Sequence, residues 1–150
     1  MKVPDWLFGF VNPVMVTMLR SPLHPLVSSS ILIIEFTGIK SGKRRTVPVR
    51  YMYTGNQPCC TTSIHNGWWH NFKTPQKVEL TLAGKRMAAI ATAVSHDPDM
   101  LSPILREIWS RHPADAAYMN VKLDKTGQPD PNDFDRASDE AVLINLELRS

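Results

Sequence analysis

The sequence predicts an α+β protein, mainly β, whose six or so antiparallel strands close into a small barrel with helices over it. Three observations lead there. Short β-branched and aromatic runs are separated by Gly, Pro and Asn turns, as in "ILIIEFT", "VPVRYMYT" and "AVLINLEL". Strands and helices do not alternate, so parallel βαβ units are not expected. Neither Gly-x-Gly-x-x-Gly nor a Walker-type phosphate loop occurs, which disfavours a Rossmann domain for a nicotinamide.

Taken in order, "WLFGFVNPVMVTML" (Trp6 to Leu19) reads as an amphipathic helix over about residues 5–20, ended by Pro22 and Pro25. It is interrupted by Asn12 and Pro13 and is shorter than a bilayer span. Neither a strongly basic start nor an A-x-A site marks a signal peptide. Packing on the body or on a dimer partner is the first reading. Peripheral contact with a membrane surface through Trp6, Phe8 and Phe10 is the second.

Strands follow at Ile31 to Thr37, Val47 to Thr54 and Cys59 to Ser63. Gly38 and Gly42 are expected to supply unusual backbone angles in the first turn, "GIKSGKRRT". "KVELTLAGKRMAAIATAVS" divides at Ala83-Gly84 into a hairpin of two strands. Asp97 is an N-cap for a helix over Asp99 to Arg111, with Leu101, Ile104, Leu105, Ile108 and Trp109 at helical spacing towards the core. "DKTGQPDPNDFDRASDE" (Asp124 to Glu140) reads as a polar connection before the last strand, Ala141 to Leu148.

The 150 residues suit one domain, and 43% apolar with 21% charged residues is an ordinary globular composition. The net charge of +3 is local, because Lys40, Lys43, Arg44, Arg45 and Arg50 crowd into "TGIKSGKRRTVPVRY". A local excess suits a discrete anionic ligand better than a nucleic-acid surface, and no aromatic-rich stacking strand accompanies "GKRR". On residues alone the turn is equally a solvated hairpin tip. Cys59 and Cys60, the only cysteines, are adjacent; they point to opposite faces of a strand and form no disulfide framework. A reducing cytoplasm is the simplest setting, with at least one thiol buried for structural reasons.

The second cluster is "SIHNGWWHNF", Ser63 to Phe72. Trp68 and Trp69 offer flat apolar surface for an aromatic ligand, with at least one of them expected in the core. His65 and His70 lie five apart with no nearby Cys, Asp or Glu, so no metal is expected. Neither Ser63 nor Cys60 has the base-and-orienter context of a nucleophile.

The two clusters together resemble a known family. "TGIKSGKRRTVPVRY", "TTS" and "GWWHNF" are similar to the T-G-R-K-S-G-x-x-R…P-x-x-Y, strand-end Ser and W-x-x-N-L pattern of the deazaflavin-dependent nitroreductases. That group is the quinone and nitro-compound reductase branch of the flavin/deazaflavin oxidoreductases. The resemblance covers roughly Ile31 to Gly84. It implies a split β-barrel like that of pyridoxamine-phosphate oxidases. It also implies coenzyme F420, a deazaflavin with a phosphodiester and an oligoglutamate tail, and a small-molecule electron acceptor. Lys40, Ser41, Gly42, Arg45 and Pro48 fall on the family's phosphate and tail segment, and Ser63 on the serine near the ring system. Trp68 and Asn71 match the residues that close the cofactor site, while Tyr118 lies where relatives place tyrosines around the substrate. Ser63 and Tyr118 are the candidates for donating a hydrogen bond to the acceptor. Two positions depart from the pattern: Ile39 stands at a family arginine, and Ile64-His65-Asn66 replaces Lys-Gly-Gly. The alternatives are an FMN-binding oxidoreductase of the same fold and a non-catalytic cofactor or lipid carrier. Barrels of this kind often pair, so a homodimer is expected.

Overall fold

The computed structural model describes residues 31–149; the expected helix over about 5–20 lies outside them. Six strands form one closed antiparallel barrel in the order β1-β2-β3-β6-β5-β4. They are β1 (Ile31–Thr37), β2 (Arg44–Thr54), β3 (Gln57–Ser63), β4 (Gln76–Leu82), β5 (Lys85–Ser95) and β6 (Ala141–Leu148). Helix α1 (Pro98–Arg111) follows β5, and α2 (Pro131–Glu140) precedes β6. Two 3₁₀ turns, Trp68–Phe72 and Pro113–Met119, complete the chain path. Among the described residues no helix is long and apolar enough to cross a membrane.

Alternation along the strands separates two cores. Leu32, Ile34, Phe36, Val49, Leu80, Val142, Ile144 and Leu146 fill the barrel with Phe72 and Trp69. A second core lies outside the wall, where Leu101, Leu105, Ile108 and Trp109 of α1 meet Phe134 and Ala137 of α2 and Leu143 of β6. The adjacent cysteines show the period of two directly: Cys60 joins the barrel interior, Cys59 the helix layer, and both are fully buried. Burial pushes both thiols up, far up for Cys60.

Helix α1 starts as expected, with the Asp97 carboxylate accepting from the Met100 N–H at 3.1 Å and Pro98 in the first turn. Helix α2 corrects the reading of Asp124 to Glu140 as a connection throughout. Asp130 caps it by accepting from the Asp133 N–H at 3.0 Å, Pro131 opens it, and Phe134, Ala137 and Ser138 form its buried side. β2 starts at Arg44 and not at Val47, because Thr37, Phe36 and Glu35 pair with Arg44, Arg45 and Thr46.

The barrel is weakest along two seams. The β2–β3 ladder runs from Thr54–Gln57 to Tyr51–Cys60 and stops, although β2 continues to Arg44 beside β1 and β3 to Ser63 beside β6. The β1–β4 ladder holds only Ile33–Thr81, Ile34–Leu80 and Glu35–Glu79. The β1–β2 hairpin is thus one leaf and β3-β6-β5-β4 the other. Past Tyr51 and Cys60 the leaves part, and among the described residues these strand edges are unpaired, so their backbone groups need other partners.

Candidate functional site

The cationic turn lies at the end of the β1–β2 leaf. It closes on itself, with the Gly38 N–H donating to the Lys43 carbonyl and the Gly42 N–H to the Gly38 carbonyl, both at 2.9 Å. Gly42 adopts φ +67°, a left-handed conformation that favours glycine. Gly38 does not, contrary to expectation; it is small for another reason, since a Cβ there would lie 2.7 Å from the Ser41 hydroxyl oxygen. That oxygen accepts from the Lys43 N–H at 3.2 Å. The Gly42 and Lys43 N–H groups are therefore used inside the turn. Among the described residues, the N–H groups of Lys40 and Ser41 have no acceptor.

The five cations divide by their partners. Arg44 lies 3.4 Å from Glu79 and 4.0 Å from Glu35, and Arg86 closes the cluster at 2.5 Å from Glu79 and 3.8 Å from Glu35. Glu35 and Glu79 face each other across the β1–β4 ladder, so two arginines offset two apposed carboxylates. Hydrogen bonding to Glu79 and its charge raise the Arg86 pKa further. Arg50 is bonded to Asp115 of the second 3₁₀ turn. Lys40, Lys43 and Arg45 remain: among the described residues no carboxylate pairs with them, and the Arg45 guanidinium lies 5.8 Å over the Phe36 ring. Three cations without counter-charges and two N–H groups on one turn suit an anion.

The aromatic segment is joined to that turn. The side-chain carbonyl of Asn71 accepts from the Ile39 N–H at 2.9 Å, and its amide donates to the Trp68 carbonyl at 2.8 Å. Phe36 and Phe72 pack edge to face at 4.9 Å, and Phe72 meets Trp68 at 6.0 Å. Trp69 is the core tryptophan, 5% exposed, with its indole N–H on the Ile64 carbonyl at 3.2 Å. Trp68 is only partly buried and keeps apolar surface beside the turn.

Ser63 ends β3 beyond the last β2–β3 pair, 7% exposed, and its oxygen accepts from the His65 N–H at 3.2 Å. Among the described residues nothing accepts its hydroxyl proton, which leaves it a donor. Thr62 accepts from the Asn66 amide at 2.8 Å, and His65 lies 3.3 Å from Glu140, so the segment from Ser63 to the 3₁₀ turn is pinned to β3 and α2. Pro48, with no N–H for a ladder, falls in the stretch of β2 that has left β3. Lys40, Ser41, Gly42, Arg45, Trp68 and Asn71 are thus drawn together, while Pro48 and Ser63 line the parted edges. Tyr118 is 48% exposed in the second 3₁₀ turn, connected to the barrel through Asp115 and Arg50.

Sequence reasoning missed the partners that sort the cations. Arg50 on a strand of apolar and aromatic residues was a signal, but nothing local marks Asp115, 65 positions away. Glu35 within "ILIIEFT" was a similar signal for the network with Glu79.

Among the described residues the donor set fits a flat cofactor with a polyanionic tail: uncompensated cations and free N–H groups at one end, an indole face and open backbone edges beside it. No cluster of His, Cys, Asp or Glu that could hold a metal ion occurs among the described residues. Comparison with known proteins agrees with this chemistry. A solved structure described as a domain-swapped dimer superposes at TM-score 0.53 and 17% identity, covering 95% of this chain and 98% of that one. A pyridoxamine 5'-phosphate oxidase-related, FMN-binding protein from Nostoc punctiforme gives TM-score 0.53 at 15% identity, with 99% and 83% covered. A structure described as an F420 reductase gives 0.50 at 13% identity, with 89% and 92% covered. At such identities these likenesses establish the split-barrel fold alone. No curated protein matches the chain. The family model for F420H2-dependent quinone reductases matches residues 21–128, spanning the cationic turn, the parted strands and Tyr118 together, and on that match the chain belongs to the F420H2-dependent quinone reductase family.

Proposed function

We propose that this F420H2-dependent reductase passes a hydride to a small electron-poor acceptor, a quinone, nitro compound or enone, in the fork between β2 and β3. The reading is carried by the turn that keeps Lys40, Lys43 and Arg45 without counter-charges among the described residues while Asn71 fastens it to the aromatic segment. Lys40, Arg45, the Ser41 hydroxyl and the N–H groups of Lys40 and Ser41 hold the phosphodiester and tail, with Gly42 shaping the turn. Trp68 supplies the apolar wall and Asn71 sets its distance from the turn. Pro48 and Ser63 flank the ring position along the parted edges.

When bound, the reduced coenzyme supplies the hydride, so the protein's task is orientation and polarisation. The Ser63 hydroxyl accepts from the His65 N–H and keeps its own proton to donate to an acceptor in the fork. An acceptor oxygen there gains electron density as the hydride arrives, and a preset donor stabilises that charge. Tyr118 offers a second hydrogen bond, one that holds the acceptor equally before and during the transfer. Ile39, 58% exposed at the family's arginine position, leaves a smaller charge for the tail and an apolar contact beside it. The homodimer is part of this reading, supported by the likeness to a structure described as a domain-swapped dimer.

Fluorescence titration with F420 beside FMN tests the assignment. Tight binding of F420 and weak binding of FMN are expected, with Lys40→Ala/Arg45→Ala weakening F420 at least about tenfold, as loss of two charge-assisted contacts requires. Preference for FMN, or an unchanged titration in the double variant, sinks it.

A further inference from the structure

The second 3₁₀ turn, Pro113–Met119, buries little of its own surface. Ala116 is its one buried residue, and Pro113, Ala114, Ala117 and Tyr118 are exposed. A surface segment with so little apolar area gains little from being fixed, whereas fixing each residue costs about 1–2 kcal/mol of backbone entropy. Polar links hold it at both ends. Arg50 of β2 binds Asp115 near its start, with side chains only 29% and 17% exposed. At its end the Arg136 guanidinium of α2 donates to the Met119 carbonyl at 2.6 Å and the Asn120 carbonyl at 2.9 Å. The Val121 N–H returns to the Ala116 carbonyl at 3.1 Å.

The place of the first link is informative. Arg50 is the residue of β2 immediately past Tyr51, the last to pair with β3. Its neighbours Val49 and Tyr51 pack towards the barrel interior, so Arg50 projects from the outer face at the mouth of the fork. The cationic turn and Trp68 approach the fork from the β1–β2 tip, and the second 3₁₀ turn is fastened to the outer face at its base.

We infer that the Arg50–Asp115 ion pair is a positioning latch, holding the segment that carries Tyr118 as the acceptor-side wall of the fork and so setting the affinity for the acceptor. This rests on the reading of the fork as the reductase site. Neither residue need touch the hydride-transfer atoms; the latch acts through Tyr118. A part-buried charge pair is suited to the task, because removing one partner strands the other in a poorly solvated place and frees the segment.

The test uses Arg50→Gln, Asp115→Asn and the reversed pair Arg50→Asp/Asp115→Arg, with a water-soluble benzoquinone as acceptor. Each single variant should raise the acceptor KM about tenfold, with kcat and F420 affinity within about twofold of the parent. The reversed pair should recover most of that loss. Hydrogen exchange of amides 114–119 gives a readout without turnover: faster in the single variants, slowed again in the reversed pair, and slowed by the quinone in the F420-loaded parent. An unchanged KM in both single variants overturns the latch, as does a loss that falls on F420 affinity instead. Failure of the unaltered protein to bind F420 would strike the reductase reading itself, and the titration shows that separately.

Discussion

The side-chain carbonyl of Asn71 accepts a hydrogen bond from the backbone N–H of Ile39 at 2.9 Å, while its amide donates to the Trp68 carbonyl. One side chain therefore fixes the distance between the cationic turn and the aromatic segment, 32 positions apart. Its two hydrogen-bonding groups can be removed separately. Asn71→Leu removes both bonds and should lower stability by about 1–2 kcal/mol, with F420 bound several-fold more weakly. Asn71→Asp keeps the acceptor for Ile39 and loses the donor to Trp68. It should be the more stable of the two, yet bind F420 worse, since a carboxylate then faces the tail site. Thermal unfolding and titration of both variants check the pair of trends. An unchanged Kd in Asn71→Leu would mean that something else positions the turn.

Not every cation of the turn should matter for the cofactor. Arg44 is already engaged by Glu35 and Glu79 on the outer face of the barrel. Arg44→Ala should leave F420 affinity within about twofold, in contrast to the loss expected for Lys40 and Arg45. Its effect should fall on stability, about 1 kcal/mol once the half-exposed guanidinium is allowed for, because the apposed Glu35 and Glu79 then lose one of the two arginines between them. Equal losses of affinity for Arg44→Ala and Lys40→Ala would show that the charge acts as an undivided cloud.

What was legible in the sequence follows from the range of the interactions. β1 and β6 could be bounded to the residue because their burial is written in consecutive apolar side chains, Ile31–Thr37 and Ala141–Leu148. The cationic turn was visible in its charge and in Gly42. Its division into engaged and uncompensated cations was not, because Glu79 and Asp115 lie 35 and 65 positions from their arginines. Helix α2 was hidden for a different reason: it buries only Phe134, Ala137 and Ser138, too few to write a period into a polar stretch. Its remaining signal was the Asp130-Pro131 start, which also resembles a turn.

That start can be tested. Asp130→Ala should cost about 1 kcal/mol as the loss of an N-cap, and Phe134→Ala about 3 kcal/mol as a cavity beneath Trp109 and the Arg106 guanidinium. Since Arg136 of the same helix holds the Met119 and Asn120 carbonyls, Phe134→Ala should also speed hydrogen exchange at the end of the second 3₁₀ turn. Chemical denaturation and exchange measured on one sample decide both.

The buried thiols predict an alkaline limit to stability. Burial raises both cysteines above the ordinary thiol range, so the folded chain holds their protons where the unfolded chain releases them. With fewer protons bound in the unfolded state, stability falls as pH rises; the contribution is complete below the unfolded pKa and is lost above it. Denaturation midpoints should be flat with respect to these groups below about pH 8 and decline above about pH 9, by up to about 1.4 kcal/mol per pH unit for each thiol. Cys60→Ala should flatten the decline, whatever it costs at neutral pH. A slope identical to the parent's would place the alkaline sensitivity elsewhere, Tyr51 being the next group whose pKa burial raises.

The adjacent tryptophans should separate binding from folding. Trp69 is 5% exposed and its indole N–H is tied to the Ile64 carbonyl, so Trp69→Phe should cost about 1–2 kcal/mol through the lost bond. F420 affinity should then stay within about twofold. Trp68 is only partly buried, and the amide of Asn71 holds its carbonyl, not its ring. Trp68→Ala leaves that backbone contact in place and removes the apolar face from the turn's side of the fork. Affinity should drop about tenfold, the scale of one stacking contact of about 1–1.5 kcal/mol, with a smaller stability loss than a fully buried ring would bring. Thermal unfolding beside F420 titration distinguishes the two residues. If Trp69→Phe proved the weaker binder and Trp68→Ala the less stable protein, the wall of the site would lie on the opposite side of the 3₁₀ turn from the cationic turn.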